Sequence, residues 1–419
     1  MKALVIGGGI GGLAAALALD AAGIECCVCE SVTEIEALGL GINLQPNAVR
    51  ELIELGLGPA LVEVAIETST LAYYNKHGQR IWREPRGLAA GYRWPQYSIH
   101  RGELLFLLLE AARARIGAQN IRTSHHLVGF EASAGGITAQ FADRASGRAL
   151  PPLSADVLIG ADGIHSTVRA SLHPREAAAV PSGGVQWRGA IEVPPYLDGR
   201  TQVMIGHYRQ RTILYPMSSK AAARGRSLVN WLAYRHLPDG IAERESWDRK
   251  VPKERFWAAY KDWNYDWIRP ADMMAGTSDI YEYYEMDHDP LDRWSFGRVT
   301  LLGDAAHAMR PVGSQAGSQA IVDARVLAHA LATEPDPVKA LAAYDAIRRP
   351  QMNEVILRNR QYGPEIVMQM AEDRAPNGFS HIEDVIPQRE LEDIAASFKR
   401  AAGFDPATLN NRPSFDAKR

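Results

Sequence analysis

The feature that most constrains the fold is a glycine-rich loop near the start of the chain. The segment GGGIGG at 7–12 contains a GxGxxG spacing and follows a short apolar run at 3–6. An Ala- and Leu-rich stretch over 13–22 comes next, and residues 25–30 have the character of a second strand. This order predicts a βαβ unit, because two parallel strands need a crossover helix between them.

Each glycine of this loop has a separate expected role. Gly7 permits a tight turn, Gly9 lets the backbone approach a pyrophosphate, and Gly12 lets the helix pack closely on the strand. A helix that begins here offers free N–H groups and the positive end of its dipole to a phosphate. Glu30, at the end of the second strand, can accept hydrogen bonds from ribose hydroxyls and would repel a 2′-phosphate. The set predicts a site for FAD or NAD rather than NADP; the alternative is a glycine-rich turn without a ligand.

Composition excludes several other classes of protein. The 419 residues carry a formal charge of −3, which gives no general electrostatic attraction to nucleic acid or an anionic membrane. No run of about 18 apolar residues occurs, so no membrane span is predicted. Cys26, Cys27 and Cys29 are too close for a disulfide framework, and on a strand they alternate between faces, which suits buried apolar positions rather than metal ligands. We expect a cytoplasmic protein without a metal site.

Two kinds of segment alternate along the chain. We predict an α/β fold in which a Rossmann-like domain is formed by three segments, 1–70, 98–180 and 286–360. Between them lie two segments rich in aromatic residues, and these predict an inserted mixed β-sheet domain from 71–97 and 181–285. Residues around 246–268 have helical character, and 361–419 is predicted to be a helical tail.

Two later loops place an aspartate directly after a buried strand. Asp162 lies in GADGIHS at 160–166, and Asp304 lies in LLGDAAH at 301–307. A carboxylate there could hold the ribose or ribityl chain of a ligand. It could equally cap the N-terminus of the following helix. The pattern of one loop alone leaves both interpretations open.

Taken together, these motifs resemble the single-component FAD-dependent aromatic hydroxylases, the family of p-hydroxybenzoate and salicylate hydroxylases. The matching stretches are GGGIGG (7–12), HRGEL (100–104), GADGIHSTVR (160–169) and LLGDAAH (301–307). The resemblance is closest to phenazine-1-carboxylate-type monooxygenases, through GLGINLQPNAV (39–49), YSIHRGEL (97–104), WRG (187–189) and SLVNW (227–231). It extends over about residues 2–360.

The resemblance implies that the dinucleotide is FAD. The glycine loop would contact the pyrophosphate, Glu30 the adenosine ribose, Arg101 the ribityl–phosphate region and Asp304 the ribityl chain. Leu127 would pack near the adenine, and Asp162 belongs to a motif associated with both FAD and NAD(P)H. Arg101 could instead be simply a charged residue at the start of a helix. The implied FAD-binding residues are Gly7, Gly9, Gly11, Gly12, Glu30, Gly41, Ile42, Arg101, Leu127, Asp162, Gly303, Asp304 and Gly317.

The family also places a loop and a helix N-terminus against the edge of the flavin. Here this loop is Pro311-Val312-Gly313, and the helix is expected to start near Ser314. A helix N-terminus stabilises the negative charge of reduced flavin. The chain departs from the family pattern in having Ala316, with the glycine displaced to Gly317. Alanine is uncomfortable at positive φ, so the loop is shifted by one residue or the mobility of the flavin differs.

The implied activity is flavin-centred and needs no protein nucleophile. NADH or NADPH would reduce FAD, and O₂ would give a C4a-hydroperoxide that hydroxylates an aromatic or N-heteroaromatic ring. With one glycine fingerprint, the chain would bind the nicotinamide only transiently. Substrate-wall candidates, each of which could instead belong to the sheet core, are Trp187, Arg188, Met204, Tyr208, Tyr215 and Trp231. Arg188 could hold a substrate carboxylate or pair with an acid.

Other functions of the same fold stay open at this point. The oxygenation could be of the Baeyer–Villiger, decarboxylating, N-hydroxylating or antibiotic-inactivating kind. The chain could also be a flavin-binding protein without turnover. The expected partners are a small aromatic substrate and O₂, with no nucleic acid or membrane, and the chain is expected to be a monomer or a homodimer.

Overall fold

The computed structural model describes residues 1–36, 40–176, 179–237 and 249–416. Gly39 of the GLGINLQPNAV motif lies outside these ranges, as do parts of the predicted domains and of the predicted helix around 246–268. The β-strands of the described part are β1 (Lys2–Ile6), β2 (Glu25–Cys29), β3 (Gly41–Leu44), β4 (Ile66–Glu67), β5 (Thr70–Tyr74), β6 (Arg80–Pro85), β7 (Tyr97–His100), β8 (Ile121–Arg122), β9 (His126–Ser133), β10 (Gly136–Ala142), β11 (Ala149–Ala155), β12 (Val157–Gly160), β13 (Val180–Val193), β14 (Thr201–His207), β15 (Gln210–Pro216), β16 (Ser227–His236), β17 (Tyr281–Asp287) and β18 (Val299–Leu301).

The α-helices of the same ranges are α1 (Ile10–Ala21), α2 (Pro46–Glu54), α3 (Gly58–Val64), α4 (Arg101–Ile116), α5 (Thr167–Leu172), α6 (Ser219–Ala222), α7 (Pro270–Ala275), α8 (Asp304–His307), α9 (Ala316–Thr333), α10 (Pro337–Arg360), α11 (Ile366–Arg374), α12 (Gln388–Ala401) and α13 (Pro406–Asn411). None of these helices combines the length and apolar character needed to cross a bilayer.

A five-stranded parallel sheet positions the predicted dinucleotide site. Its order is β18-β12-β1-β2-β8, and α1 packs against α4 and α9 beside it. Because β1, β12 and β18 run parallel, the loops after Ile6, Gly160 and Leu301 emerge at one edge of the sheet. Ligands of open α/β sheets bind at this carboxyl edge. The βαβ unit predicted from the first thirty residues is confirmed.

A second, seven-stranded sheet is mixed, as predicted. Its order is β17-β13-β16-β15-β14-β5-β6, with β14 and β5 parallel and the other neighbours antiparallel. The α/β fold class with a Rossmann-like domain and a mixed sheet is therefore confirmed. The division of the chain into domains stays a prediction. Cys26, Cys27 and Cys29 are free and buried in the core around the parallel sheet.

The two faces of the seven-stranded sheet pack against different neighbours. Arg188, Tyr215 and Asn230 point to β3, and we call this side the β3 face. Gly41 fits there because a Cβ at its position would lie 2.4 Å from Tyr215 Cε2. Strand residues alternate between faces, so the neighbours of these residues in sequence lie on the opposite, outer face.

The outer face is covered by the segment that precedes β17. Phe256, Tyr260 and Trp263 of this segment belong to, or pack against, the core cluster of the outer face. The predicted helix around 246–268 is wrong for the described residues 249–268, which form only short 3₁₀ turns at Lys253–Arg255 and Trp257–Ala259. Packing of these bulky aromatic rings on the sheet outweighs local helix propensity.

Candidate functional site

The glycine loop is tightly packed against the ends of neighbouring strands. Gly7 has a φ of +105°, and a Cβ there would lie 2.3 Å from the carbonyl oxygen of Ala161. A Cβ at Gly12 would lie 1.9 Å from the Gly7 carbonyl oxygen. Both distances are far below van der Waals contact. The turn role predicted for Gly7 and the packing role predicted for Gly12 are therefore confirmed.

The start of α1 has the properties of a pyrophosphate site. Gly9 is the N-cap residue, and no side chain caps this helix end. A Cβ at Gly9 would have no atom within 4 Å, so the backbone is open on that side. Gly11 differs, because its Cβ position lies 2.9 Å from Leu302 Cδ2 in the packed interior. Open backbone and unsatisfied N–H groups at a helix N-terminus fit the phosphates of FAD.

Glu30 is fixed directly beside this loop. Its Oε2 atom accepts a hydrogen bond of 2.7 Å from the backbone N–H of Gly8. Its Oε1 atom accepts bonds from the Val32 N–H at 2.9 Å and the Ser31 hydroxyl at 3.0 Å. A carboxylate can accept further bonds at each oxygen. This position suits the ribose adjacent to the pyrophosphate, as predicted for FAD.

The two candidate aspartates behave differently. Asp162 accepts bonds from the Ser166 hydroxyl at 2.5 Å and from the N–H groups of Thr167 at 2.7 Å and Val168 at 3.2 Å. The capping interpretation is therefore confirmed for Asp162. Asp304 is exposed at the first position of α8. It lies at the carboxyl edge of the sheet, and no side chain caps α8.

Arg101 lies within electrostatic reach of Asp304. Desolvation by surrounding protein lowers the pKa of the Arg101 guanidinium, and the Asp304 carboxylate opposes that shift. The Arg101 side chain is nevertheless exposed at the start of α4. An exposed cation and an exposed carboxylate at the same edge fit a ligand that carries phosphates and a polyol chain. Their contacts with FAD stay a prediction.

A buried ionic network anchors the turn that presents Asp304, and the sequence patterns did not identify it. Asp323 accepts bonds from His307 Nε2 at 2.6 Å, Arg348 Nε at 2.7 Å and the Gly303 N–H at 3.2 Å. Burial would raise the pKa of Asp323, but the charges of Arg348 and His307 hold it below its usual value. Gly303 itself has a φ of +62°. The network thus holds the turn at Gly303 in place through the bond from the Gly303 N–H to Asp323.

The loop expected at the flavin edge contains two left-handed residues, Gly313 with φ +66° and Ser314 with φ +54°. Helix α9 starts at Ala316, two residues later than expected, and Ala316 has no positive φ. Alanine is therefore accommodated without strain, because the left-handed turn lies earlier in the loop. Gly317 is helical, and its Cβ position lies 2.7 Å from Ile42 Cδ1. The glycine at position 317 thus allows α9 to pack closely against β3.

Pro311 and Val312 precede this turn. Pro311 is exposed, whereas Val312 is buried. A Cβ at Gly313 would lie 2.6 Å from the Phe398 ring of α12, so the C-terminal helices close over the turn. Leu127 is 2% exposed in the main core, and its predicted contact with an adenine stays a prediction.

The substrate-wall candidates do not all lie on the same face of the seven-stranded sheet. Arg188, Tyr215 and Met204 lie on the β3 face, and Arg188 Nη2 donates a 2.8 Å bond to the Gly41 carbonyl. Burial raises the pKa of Tyr215 to about 12. Arg188 forms no salt bridge within the part of the chain that the structure describes, so pairing with an acid does not account for it. These three residues remain substrate-wall candidates.

The other three candidates lie elsewhere. Trp187 and Trp231 point to the outer face, where both are buried and pack against Phe256. This placement supports the alternative that they belong to the sheet core, because side chains one residue apart on a strand lie on opposite sides of the sheet. Tyr208 lies in the turn between β14 and β15 and contacts the ring of Tyr362, with 4.0 Å between centroids.

Further polar residues, which the sequence patterns did not single out, line a cavity next to the Gly313–Ser314 turn. The cavity is narrow and extends along the β3 face beyond Met204. Charged side chains reach it from β6, the segment after β6, and α12. Those side chains are Glu84, Arg86 and Lys399.

Replacing Asp304 by alanine is expected to weaken FAD retention. Loss of a hydrogen bond to a charged group costs about 1.5–3 kcal/mol, so we expect roughly a tenfold to hundredfold weaker affinity. FAD titration of the apoprotein, followed by flavin fluorescence, measures the effect. Asp262→Ala, at an exposed position in the segment covering the outer face, is the control and should bind FAD as the wild type does. Unchanged FAD affinity of Asp304→Ala would show that Asp304 does not contact FAD.

Comparisons with known proteins agree with this geometry. A family model described as "FAD binding domain" matches residues 1–359. Phenazine 1,6-dicarboxylic acid hydroxylase PhzS of Lysobacter antibioticus is 44% identical over 362 residues, covering 85% of this chain and 88% of the relative. The 3-hydroxybenzoate 6-hydroxylase of Klebsiella oxytoca is 30% identical over 374 residues, with coverage of 87% and 88%.

A solved structure shares the whole architecture. Klebsiella pneumoniae HpxO, in complex with FAD and uric acid, superposes with a TM-score of 0.75 at 27% identity. The match covers 94% of this chain and 96% of HpxO. Together with the parallel sheet, the open glycine loop and the Asp304 turn, these matches place the chain in the family of the FAD binding domain, among the FAD-dependent aromatic hydroxylases.

Proposed function

We propose that this hydroxylase acts on a carboxylated, fused-ring N-heteroaromatic compound, with NADH or NADPH as the reductant. The 44% identity to phenazine 1,6-dicarboxylic acid hydroxylase PhzS carries this proposal. The position of Arg188, Tyr215 and Met204 on the β3 face supports it, because an apolar and cationic wall there suits a flat, anionic ring system. When bound, FAD supplies hydride acceptance and the activation of dioxygen.

The residues of the chain would bind FAD, orient it and shield the reacting atoms from water. The start of α1 at Gly9 would hold the pyrophosphate, and Glu30 would hold the ribose. Asp304 and Arg101 would fix the ribityl–phosphate region. The N-terminus of α9 would face the flavin edge and stabilise negative charge there. Buried Val312, together with the C-terminal helices packed over the turn, would keep water from the reacting atoms.

We propose that NADH or NADPH binds only during the step in which it reduces FAD. Within the described ranges, the five-stranded sheet is the only parallel sheet of that size, and its edge carries the one GxGxxG loop. NADH or NADPH would therefore share a cleft with the substrate instead of occupying a separate domain. We further propose a cytoplasmic location, which the free, buried cysteines support. A monomer and a homodimer are both compatible with this function.

A turnover screen tests the proposal. FAD-loaded protein is incubated in air with phenazine-1,6-dicarboxylate and either NADH or NADPH, and nicotinamide oxidation and product mass are followed. We expect substrate-stimulated oxidation and a product one oxygen atom heavier. Free FAD without protein is the control. Loss of carbon dioxide or ring expansion would indicate a different oxygenation, and bound FAD without stimulated oxidation by any aromatic acid would contradict an enzymatic function.

A further inference from the structure

The cavity beside the Gly313–Ser314 turn is lined by buried charged and hydrogen-bonding side chains. It lies between the β3 face and α12, and its walls include Gln45, Tyr73, Glu84, Arg86, Met204 and Lys399. Tyr73 is aligned with Met204 in the register of β5 and β14, so the cavity continues the surface that carries the substrate-wall candidates. The space is narrow, so it fits a single substituent and not a fused ring system.

The charges in this cavity do not balance. Glu84 is 4% exposed and bonds both to Arg86 and to Lys399, whose Nζ lies 2.9 Å from Glu84 Oε2. One carboxylate therefore faces two cations. The next carboxylate acting on Tyr73 is Glu365, which is paired with Arg211 at 3.4 Å and thus already neutralised. The residues that line the cavity therefore carry two formal positive charges and one formal negative charge.

Two buried donors in the cavity also lack acceptors. Arg86 is 8% exposed and Tyr73 is 1% exposed. Neither Arg86 Nε nor the Tyr73 hydroxyl has a hydrogen-bond partner among the described residues. Burial keeps the pKa of the Tyr73 hydroxyl well above its usual value, so the hydroxyl stays protonated and can donate. A buried donor without an acceptor destabilises the site, and a bound acceptor would remove that penalty.

We propose that this cavity is the subsite for a carboxylate of the aromatic substrate, with Arg86 and Tyr73 as its hydrogen-bond donors. An anion there would balance the excess positive charge and satisfy both donors with charge-assisted bonds. The ring would remain on the Gly313 side, over the wall formed by Met204 and Tyr215. This inference rests on the proposed function, and it adds the residues that select a carboxylated substrate over its uncharged counterpart.

Matched pairs of ligands test the subsite. FAD-loaded protein is titrated with phenazine-1-carboxylate and phenazine-1-carboxamide, and with 3-hydroxybenzoate and 3-hydroxybenzamide, and Kd is read from the change in the flavin spectrum. The wild type should bind a carboxylate at least about tenfold more tightly than its amide, which corresponds to about 1.4 kcal/mol. Arg86→Gln should reduce this ratio to near one while leaving the affinity for the amide within about threefold.

A second variant covers the case in which Arg86→Gln fails to fold. Tyr73→Phe leaves all three charges in place and should lower the carboxylate-to-amide ratio by about threefold to tenfold. Arg374→Met is the control, because Arg374 pairs with Glu390 in an exposed ion pair outside the cavity, and it should keep the wild-type ratio.

Three results would overturn the subsite: an amide bound as tightly as its carboxylate by the wild type, an unchanged ratio in the folded variants, or no binding of either carboxylate. Failure of the proposed function would look different. In that case the protein would retain FAD, but no aromatic compound would stimulate NADH or NADPH oxidation, whatever the binding ratios are.

Discussion

Replacing Gly12 by alanine is expected to destabilise the chain by about 3 kcal/mol or more and to abolish FAD binding. The added Cβ would lie 1.9 Å from the Gly7 carbonyl oxygen, and that oxygen belongs to backbone that cannot move aside. Either α1 shifts away from the sheet or the loop opens, and both changes remove the pyrophosphate site. Thermal unfolding of the apoprotein and FAD content after purification measure the two effects.

Gly9→Ala is the informative companion to that change. Gly9 has a φ of −76°, which alanine adopts readily, and its Cβ position is open. The apoprotein should therefore keep its melting temperature, whereas FAD affinity should fall at least about tenfold because the methyl group enters the pyrophosphate space. Gly135→Ala, at an open position before β10, is the control for both measurements. Normal FAD affinity in Gly9→Ala would contradict the placement of the pyrophosphate.

Asp323→Ala should also destabilise the protein strongly, although Asp323 lies beneath the predicted site and not in it. Its removal would leave His307 and Arg348 without their partner, and breaking a buried ion pair costs about 3–5 kcal/mol. The Gly303 turn would lose its anchor, so FAD affinity should fall as well. Asp393→Ala, in an exposed pair with Arg389, should change stability by no more than about 0.5 kcal/mol.

The same carboxylate gives stability a defined dependence on pH. Because the folded-state pKa of Asp323 is depressed, its contribution is complete above the unfolded value near 4 and is lost as pH falls through the folded value. The melting temperature of Asp323→Asn should therefore decline less steeply in acid than that of the wild type. Parallel acid dependence in both proteins would show that Asp323 is not the responsible group.

The glycine loop could be predicted from the sequence because its parts are local. Glu30 lies 22 residues from Gly8 and accepts a hydrogen bond from its backbone N–H. Only one helix and one strand connect the two residues. The choice between cap and ligand for Asp162 and Asp304 could not be made from their motifs, which look alike. It depends on whether the carboxylate turns back to the N–H groups of its own helix, as that of Asp162 does.

Two other features could not be foreseen for different reasons. Trp187 and Arg188 are adjacent in the chain, and only the packing of the sheet against β3 and the outer layer decides which of them lies on the β3 face. Lys399 meets Glu84 across 315 residues of sequence, and no periodicity or motif links the two. Such a contact follows from the docking of α12 against the sheet, which is a property of the complete fold.

Isotopically labelled dioxygen shows whether the protein is a flavin-dependent hydroxylase. FAD-loaded protein is supplied with phenazine-1,6-dicarboxylate, the preferred nicotinamide and isotopically heavy dioxygen, and the product is analysed by mass spectrometry. We predict a ring-hydroxylated product that carries one heavy oxygen atom, with one nicotinamide oxidised for each product formed. A product that carries oxygen from water, or nicotinamide oxidation that yields only hydrogen peroxide with every carboxylated substrate, would show that the protein is not a hydroxylase of such compounds.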